Sequence, residues 1–456
     1  MKTKHLLAVA LAIGFASSAM AQTTYIEITG ATAFRQATMQ AIYNAYDSVG
    51  NLGNGFDVAH DFTGNNLSQL IASNRAIFTG TFPGITGTTV IRTSFNGSTE
   101  GLNAIAGNNN PSFFATTTTF NGDGTIRGDA DVGGSFVTNV RPKFSFSDVF
   151  QSTSPVDTDL NNQPITLQPV GSSAVGIVTF AMITNEGAPS NFTNTTIQHC
   201  AALWKNGVLP LSVFTGDPDD TTFVFATGRN DGSGTRSAYL TEWQYGAANL
   251  VDQYIATSAG ISGNTVTKIT RVPANGLGSG NFTTSGTSNA STLWGNTAVG
   301  NGGYSSSSAL RTLMGLTSAS VTVYDGENQE PLLENENILL LTWLSTSDSK
   351  NASDAGGKIL AYNGVQITPI EQTGSYLNSG FNQADFEKVA YGQYSAWSYQ
   401  HLYHWGTLSA QEQAFRTAMT QTGGWIEQGL QATANGLRLS DMQVERADDG
   451  FPITNL

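Results

Sequence analysis

Apolar and polar positions follow two periods along this chain, and three times they do so in the same order. In "YIEITGATAFRQATMQAIYNAY" a short apolar stretch, Tyr25 to Thr29, passes through a glycine turn into a run that sets Phe34, Met39, Ile42 and Tyr46 on one helical face. "TVIRTSFNGSTEGLNAIAGN" repeats the plan: a strand over Val90 to Phe95, a turn at Asn96-Gly97-Ser98, and a helix from Thr99. The third instance, "TFVFATGRNDGSGTRSAYLTEWQYGAANL", predicts a strand over Phe223 to Ala226 and a helix after Thr235. Three strand–small-residue–helix units predict an α/β protein with parallel layers, whose ligands gather at the carboxyl ends of the strands.

Later stretches add a strand-like "ENILLLTWL", then "GKILAYNGVQITP", and one helical run, "SAQEQAFRTAMTQTGGWI". Two Gly/Asn/Ser-rich stretches, 107–134 and 275–308, read as loop insertions on the surface. No period of 20 to 50 residues suggests a solenoid or propeller.

The chain opens with Lys2 and Lys4, an apolar core "HLLAVALAIGF" too short to span a bilayer, and a small-x-small site at Ala19-Met20-Ala21. A cleaved signal peptide over 1–21 is expected, with Gln22 rather than a cysteine after the cut and so no lipid anchor. The mature protein is expected in a periplasm or outside the cell, not anchored to a membrane. Cys200 is the only cysteine, so no internal disulfide can form. The formal charge is −14, and −16 once Lys2 and Lys4 leave. That balance argues against nucleic acid as a partner, since nothing would displace counterions. It also gives an anion no long-range attraction, so an anion site here works by short-range hydrogen bonds.

Such a site is suggested by "GRNDGSGT", residues 228–235. Backbone N–H groups from Gly232 to Thr235 would stand at a helix N-terminus, where donors lack partners and the dipole favours negative charge. Ser233 and Thr235 add hydroxyls. Arg229 can fork two N–H bonds onto one tetrahedral anion, with Asp231 pairing to hold the fork. "GATAF" and "NGSTEG" set Thr32, Ser98 and Thr99 at the other two helix starts.

These residues resemble the periplasmic phosphate-binding proteins, the substrate-binding subunits of phosphate ABC transporters. "GRNDGSGT" is similar to their Arg-x-Asp-Gly-Ser-Gly-Thr signature, "ITGATAF" to their opening Gly-Ala-Thr-Phe unit, and "SFNGSTEGLNAIAGN" to their second Gly-Ser turn and helix. "FSFSDV" resembles their Ala-Ser-Asp strand end, and "GNGGY", "AYNGVQITP" and "YGQYSAW" follow in the family's order. The resemblance implies a two-lobed type II periplasmic-binding-protein fold with an anion in the cleft. Lobe I is expected over 22–174, lobe II over 175–370, and a return to lobe I over 371–456.

The site that the resemblance implies comprises Thr32, Ala33, Phe34, Ser98, Thr99, Asp148, Arg229, Asp231, Ser233, Gly234 and Thr235. In it Asp148 accepts from the ligand, Asp231 orients Arg229, and the hydroxyls and amides donate. Two positions depart from the family pattern: Ala33 separates Thr32 from Phe34, and Glu100 brings a carboxylate into the first helical turn. The implied function is capture of inorganic phosphate by a monomer that serves an ABC transporter permease, without catalysis, cofactor or metal. The alternatives are a secreted surface or structural protein that keeps the fold, or a binder of another oxyanion. A serine hydrolase is disfavoured because Asp231 and Thr235 stand where a Gly-x-Ser-x-Gly elbow needs glycines. The two histidines of "HLYH", 401–404, have no acidic neighbour to complete a metal site. "GDGTIRGDADVGG" misses the spacing of a calcium loop.

Overall fold

The computed structural model describes residues 23–456 apart from 273–302, 369–382 and the shorter stretches 121, 130–134, 139, 170–173, 250, 257, 305–306, 326–329 and 434–435. The leader at 1–21, most of the 275–308 insertion and residues 371–382 thus lie outside the described residues.

One continuous mixed sheet runs through the molecule and carries two α/β lobes. Its main strands are β1 (Thr24–Gly30), β2 (Gly55–His60), β3 (Arg75–Gly80), β4 (Thr89–Ser94), β5 (Phe144–Ser147), β6 (Ala174–Thr184), β7 (Val208–Pro210), β8 (Phe223–Ala226), β9 (Ile338–Ser345) and β10 (Trp397–His404). Across the sheet they lie in the order β7-β8-β9-β6-β10-β5-β1-β4-β3-β2. β1 pairs in parallel with β4 and with β5, and β8 pairs in parallel with β9. All five therefore send their carboxyl ends toward the middle of the molecule, as expected of strand–turn–helix units.

Two antiparallel strands join the halves. β6 pairs through Ala174–Thr179 with β10 and through Phe180–Thr184 with β9, while the second half of β10 pairs with β5. β6 thus enters in one lobe and leaves in the other. The helices that frame the middle of the sheet are α1 (Arg35–Asp47) and α2 (Ser98–Ala106), before β6 in the first lobe, and α3 (Gly234–Glu242) and α4 (Thr346–Asp354), after it in the second.

The expected helix face is the buried one: Phe34, Met39, Ile42 and Tyr46 have no exposed surface and pack with Ile26, Ile28, Phe78 and Phe146 as the first lobe's core. The second lobe buries a cluster of Trp204, Tyr239, Trp243 and Trp343 on one face of its sheet, with Phe225, Leu310 and Leu340 on the other. Each fully buried aromatic or aliphatic side chain contributes roughly 1.5–3 kcal/mol, so each lobe has a core of its own.

Two expectations need correction, and the histidine pair lies where its aromatic neighbours suggest. The run 409–426 is two helices, α5 (Ala410–Thr420) and α6 (Trp425–Ala432), because Gly423 adopts φ +72° and Gly424 has no room for a Cβ beside Ala418 O. The 107–134 stretch is not merely a surface excursion: Phe113 and Phe114 are buried, pair with Phe136–Val137, and Arg127 bridges to Ala59 beside the sheet edge. "HLYH" lies in β10, where positions three apart face opposite sides; His404 sits by Phe144 and His401 by Phe150 and Tyr403. No group of three or more His, Cys, Asp or Glu among the described residues could hold a metal, and no described helix is long and apolar enough to cross a membrane.

Candidate functional site

The carboxyl ends of β1, β4 and β5 meet those of β8 and β9, and most of the expected residues lie in that seam. β1 runs into a tight turn over Thr32–Phe34 that feeds α1. β4 leads through Asn96-Gly97 into α2, whose first residue is Ser98. β5 ends at Ser147, so Asp148 projects from the strand end. From the other lobe, β8 leads to Arg229 and then to Ser233, the N-cap of α3, whose Oγ accepts from Arg236 N at 3.4 Å.

Asp148 is the centre of the arrangement. It is 1 % exposed, and its carboxylate is held by hydroxyls of both lobes: Ser98 Oγ donates to Oδ1, and Thr235 Oγ1 donates to Oδ2 at 3.1 Å. Ser98 Oγ in turn accepts from Asp148 N at 3.1 Å. Burial pushes the Asp148 carboxyl above the usual range, while Ser98, Thr235 and the charge of Arg229 pull it back. Thr99, 2 % exposed, has a buried Oγ1 with no hydrogen-bond partner among the described residues.

The lobes touch directly here. Glu100 N donates to Gly232 O at 3.2 Å, across the seam between α2 and the loop before α3. Two glycines make the approach possible. Gly97 adopts φ +129°, and a Cβ there would stand 2.6 Å from Gly232 O. A Cβ at Gly234 would overlap Asp148 Oδ1 and stand 2.5 Å from Ser98 Oγ.

Arg229 is 1 % exposed, and burial brings its pKa down to about 10, with Asp148 and Asp348 opposing that effect. It remains a cation at neutral pH. Its Nε donates to Tyr304 O at 3.0 Å, and Nη1 lies 3.4 Å from Thr32 Oγ1 of the other lobe. The expected pairing with Asp231 is not what orients it. Asp231 is exposed, and its charge acts on Arg236 and Glu100 instead. The reason is the turn after Asn230: Ser233 N bonds Asn230 O at 3.2 Å, which carries Asp231 to the outside while Arg229 stays in.

Ala33 and Phe34 serve the turn: Phe34 N is engaged by Ala31 O at 3.3 Å, and its ring packs on Phe146 in the first lobe's core. Glu100 is half-buried and its carboxyl is raised, first by burial and then by Asp231, with Asn109 donating to Oε2.

Two contributions escape the sequence reading. Gly303-Tyr304 forms a short parallel bridge with Arg229, and Tyr304 O also accepts from Asn230 N at 3.1 Å. "GNGGY" was visible as a landmark, yet nothing local ties it to a position 75 residues earlier. The second is the end of β9, where Ser345 Oγ donates to Asp348 Oδ2 at 3.1 Å and Arg311 Nη1 to Oδ1 at 3.1 Å. "LSTSDSK" carries the small-residue helix start that would have revealed it.

No protein-family model matches the chain, and a search of curated proteins finds no relative. Among solved structures it is similar to a protein from Clostridium perfringens described as a phosphate ABC transporter substrate-binding protein with bound phosphate, at 11 % identity and TM-score 0.40, over 91 % of this chain and 100 % of that one. It is similar to PstS from Borrelia burgdorferi at 12 % identity and TM-score 0.35, over 91 % and 99 % of the two chains. A protein from Planctomyces limnophilus described as phosphate-binding shares 9 % identity at TM-score 0.35, over 92 % and 95 %.

Proposed function

We propose that this protein is an exported solute-binding protein that captures inorganic phosphate between its two lobes for an ABC transporter. One observation carries the reading: a buried carboxylate, Asp148, is shared by hydroxyls from opposite lobes beside a buried arginine that also spans them. In a protein of net charge −14 such a seam favours a ligand that brings both charge and a proton. Phosphate near neutral pH always carries at least one proton. It can donate to ionised Asp148 while accepting from Arg229, Thr32, Thr99, Ser233 and the amides at the start of α3. The hydroxyls of Ser98 and Thr235 need only rotate their protons to turn from Asp148 to the anion.

Sulfate has no proton to give and would set oxygen against oxygen. A site built on such a bond discriminates by up to about 10⁴-fold. The second reading, a surface protein that keeps the fold, draws on the direct seam bond from Glu100 N to Gly232 O, which joins the lobes without an anion. Equilibrium binding of labelled phosphate with sulfate as competitor separates them. Wild type should prefer phosphate strongly, and Asp148→Asn should narrow that preference, because an amide can donate to sulfate. An unchanged ratio in the variant would remove Asp148 from the site.

A further inference from the structure

The segment 446–450 touches both sides of the seam from behind. Arg446 Nη1 donates to Glu242 Oε2, in the last turn of α3, at 3.0 Å. A Cβ at Gly450 would stand 2.5 Å from Thr241 O, so the backbone there lies on the end of the same helix. Between them Asp449 turns to the first lobe, where its Oδ2 accepts from Phe150 N at 2.8 Å and from Thr153 Oγ1. Phe150 is two residues past Asp148, and Asp148 accepts from Thr235 at the start of α3. The contacts form a closed circuit: α3, the 446–450 segment, Phe150, Asp148, and α3 again. We propose that Asp449 is a positioning residue for the anion site, clasping the strand end that carries Asp148 and loosening it on ionisation.

Asp449 is 3 % exposed, and its Oδ1 has no hydrogen-bond partner among the described residues. Burial pushes its carboxyl up to about 7, against the bonds from Thr153 and Phe150 and the charge of Arg446, with Asp448 adding to the rise. The charged and titratable groups around it are few. On its own segment Asp448 Oδ1 accepts from Asp449 N at 2.8 Å, and Arg446 is paired with Glu242 of α3. From β10, Tyr399 OH accepts from Arg446 N at 3.4 Å, Tyr403 OH accepts from Gln151 N at 3.1 Å, and the His401 ring lies 4.3 Å from that of Phe150. Burial holds His401 down to about 3, so it is neutral whenever Asp449 titrates. A cavity of about 540 Å³ beside the clasp, lined by Phe150, Asp157, Tyr403 and Asp448, gives water a way in.

Opening the clasp returns Asp449 to water and to its ordinary range near 3.8. The folded value lies above the unfolded one, so the clasp is strongest at low pH and weakens as pH rises toward about 7. Its opening equilibrium should grow by up to about tenfold per pH unit in that window and level off above it.

Hydrogen–deuterium exchange of ligand-free protein from pH 5 to 8, divided by intrinsic rates, reads this directly. The peptides covering 148–153 and 446–451 should open progressively toward pH 7 in wild type, and Asp449→Asn should abolish that trend. Thr153→Val, which removes one donor to the carboxylate, should move the plateau upward by about half to one pH unit. Equal pH trends in wild type and Asp449→Asn, or an unmoved plateau in Thr153→Val, would overturn the clasp.

The consequence for the ligand rests on the phosphate-binding reading above, whereas the exchange experiment does not. Phosphate's own titration is common to both proteins. The ratio of wild-type to Asp449→Asn Kd should therefore rise from near one at pH 5.5 to about threefold or more at pH 8. A flat ratio beside a pH-dependent clasp would overturn the positioning role.

Discussion

Arg229 shows what a single side chain does here. Its guanidinium is engaged in three ways: Nε donates to Tyr304 O, Nη1 donates to Thr32 Oγ1 of the opposite lobe, and its charge acts on Asp148. A planar fork can serve all of these and still face a tetrahedral anion, while a lysine ammonium is a point charge on a flexible stem. Arg229→Lys should therefore lower phosphate affinity by about 30- to 1000-fold, on the order of 2–4 kcal/mol. The fold should persist, since Tyr304 O keeps its bond from Asn230 N. Calorimetric titration of the variant, with its melting curve as a control, checks both; wild-type affinity would make Arg229 a structural tie between lobes. The arginine was legible in the sequence and its partner was not. Asp231 stands two residues away on paper, but one tight turn carries it to the surface, and the true partner lies 75 residues downstream.

At the scale of elements, the seam depends on how closely the start of α3 approaches α2 and the end of β5. Gly234 is the tightest point, because any side chain there overlaps Asp148 and Ser98. Alanine would favour the helix by up to about 1 kcal/mol over glycine, yet it must wedge the lobes apart. Gly234→Ala should leave the far-ultraviolet circular dichroism unchanged and weaken phosphate binding by more than about 100-fold, roughly 3 kcal/mol. Tight binding by this variant would place the ligand elsewhere.

The strand–turn–helix units were readable because period and turn chemistry agree within about ten residues. β8 is found where "TFVFA" predicts it, and β1, β4, α2 and α3 differ from expectation by a residue or so at an end. The helix pair α5 and α6 was read as one because nothing in hydrophobic period marks a break that backbone geometry at Gly423-Gly424 imposes. The buried Phe113–Phe114 pair was masked by its polar neighbours. β10 was unreadable as a crossing strand, since its partners β5 and β6 lie more than 200 residues earlier.

For the whole molecule, the two lobes share one sheet through β6 and β10, and Thr32, Ser98, Asp148, Arg229 and Thr235 meet in the seam between them. The overall charge of −14 opposes an anion at long range, so affinity must come from hydrogen bonds made inside the seam. Such bonds are screened little by salt, unlike surface attraction over a Debye length of about 8 Å at physiological strength. Titration of the wild-type protein with inorganic phosphate by calorimetry, at low and at moderate salt, addresses this most directly. The account predicts saturable heat at one phosphate per chain with nearly the same Kd in both buffers. No heat at millimolar phosphate, or affinity that collapses as salt is raised, would contradict it.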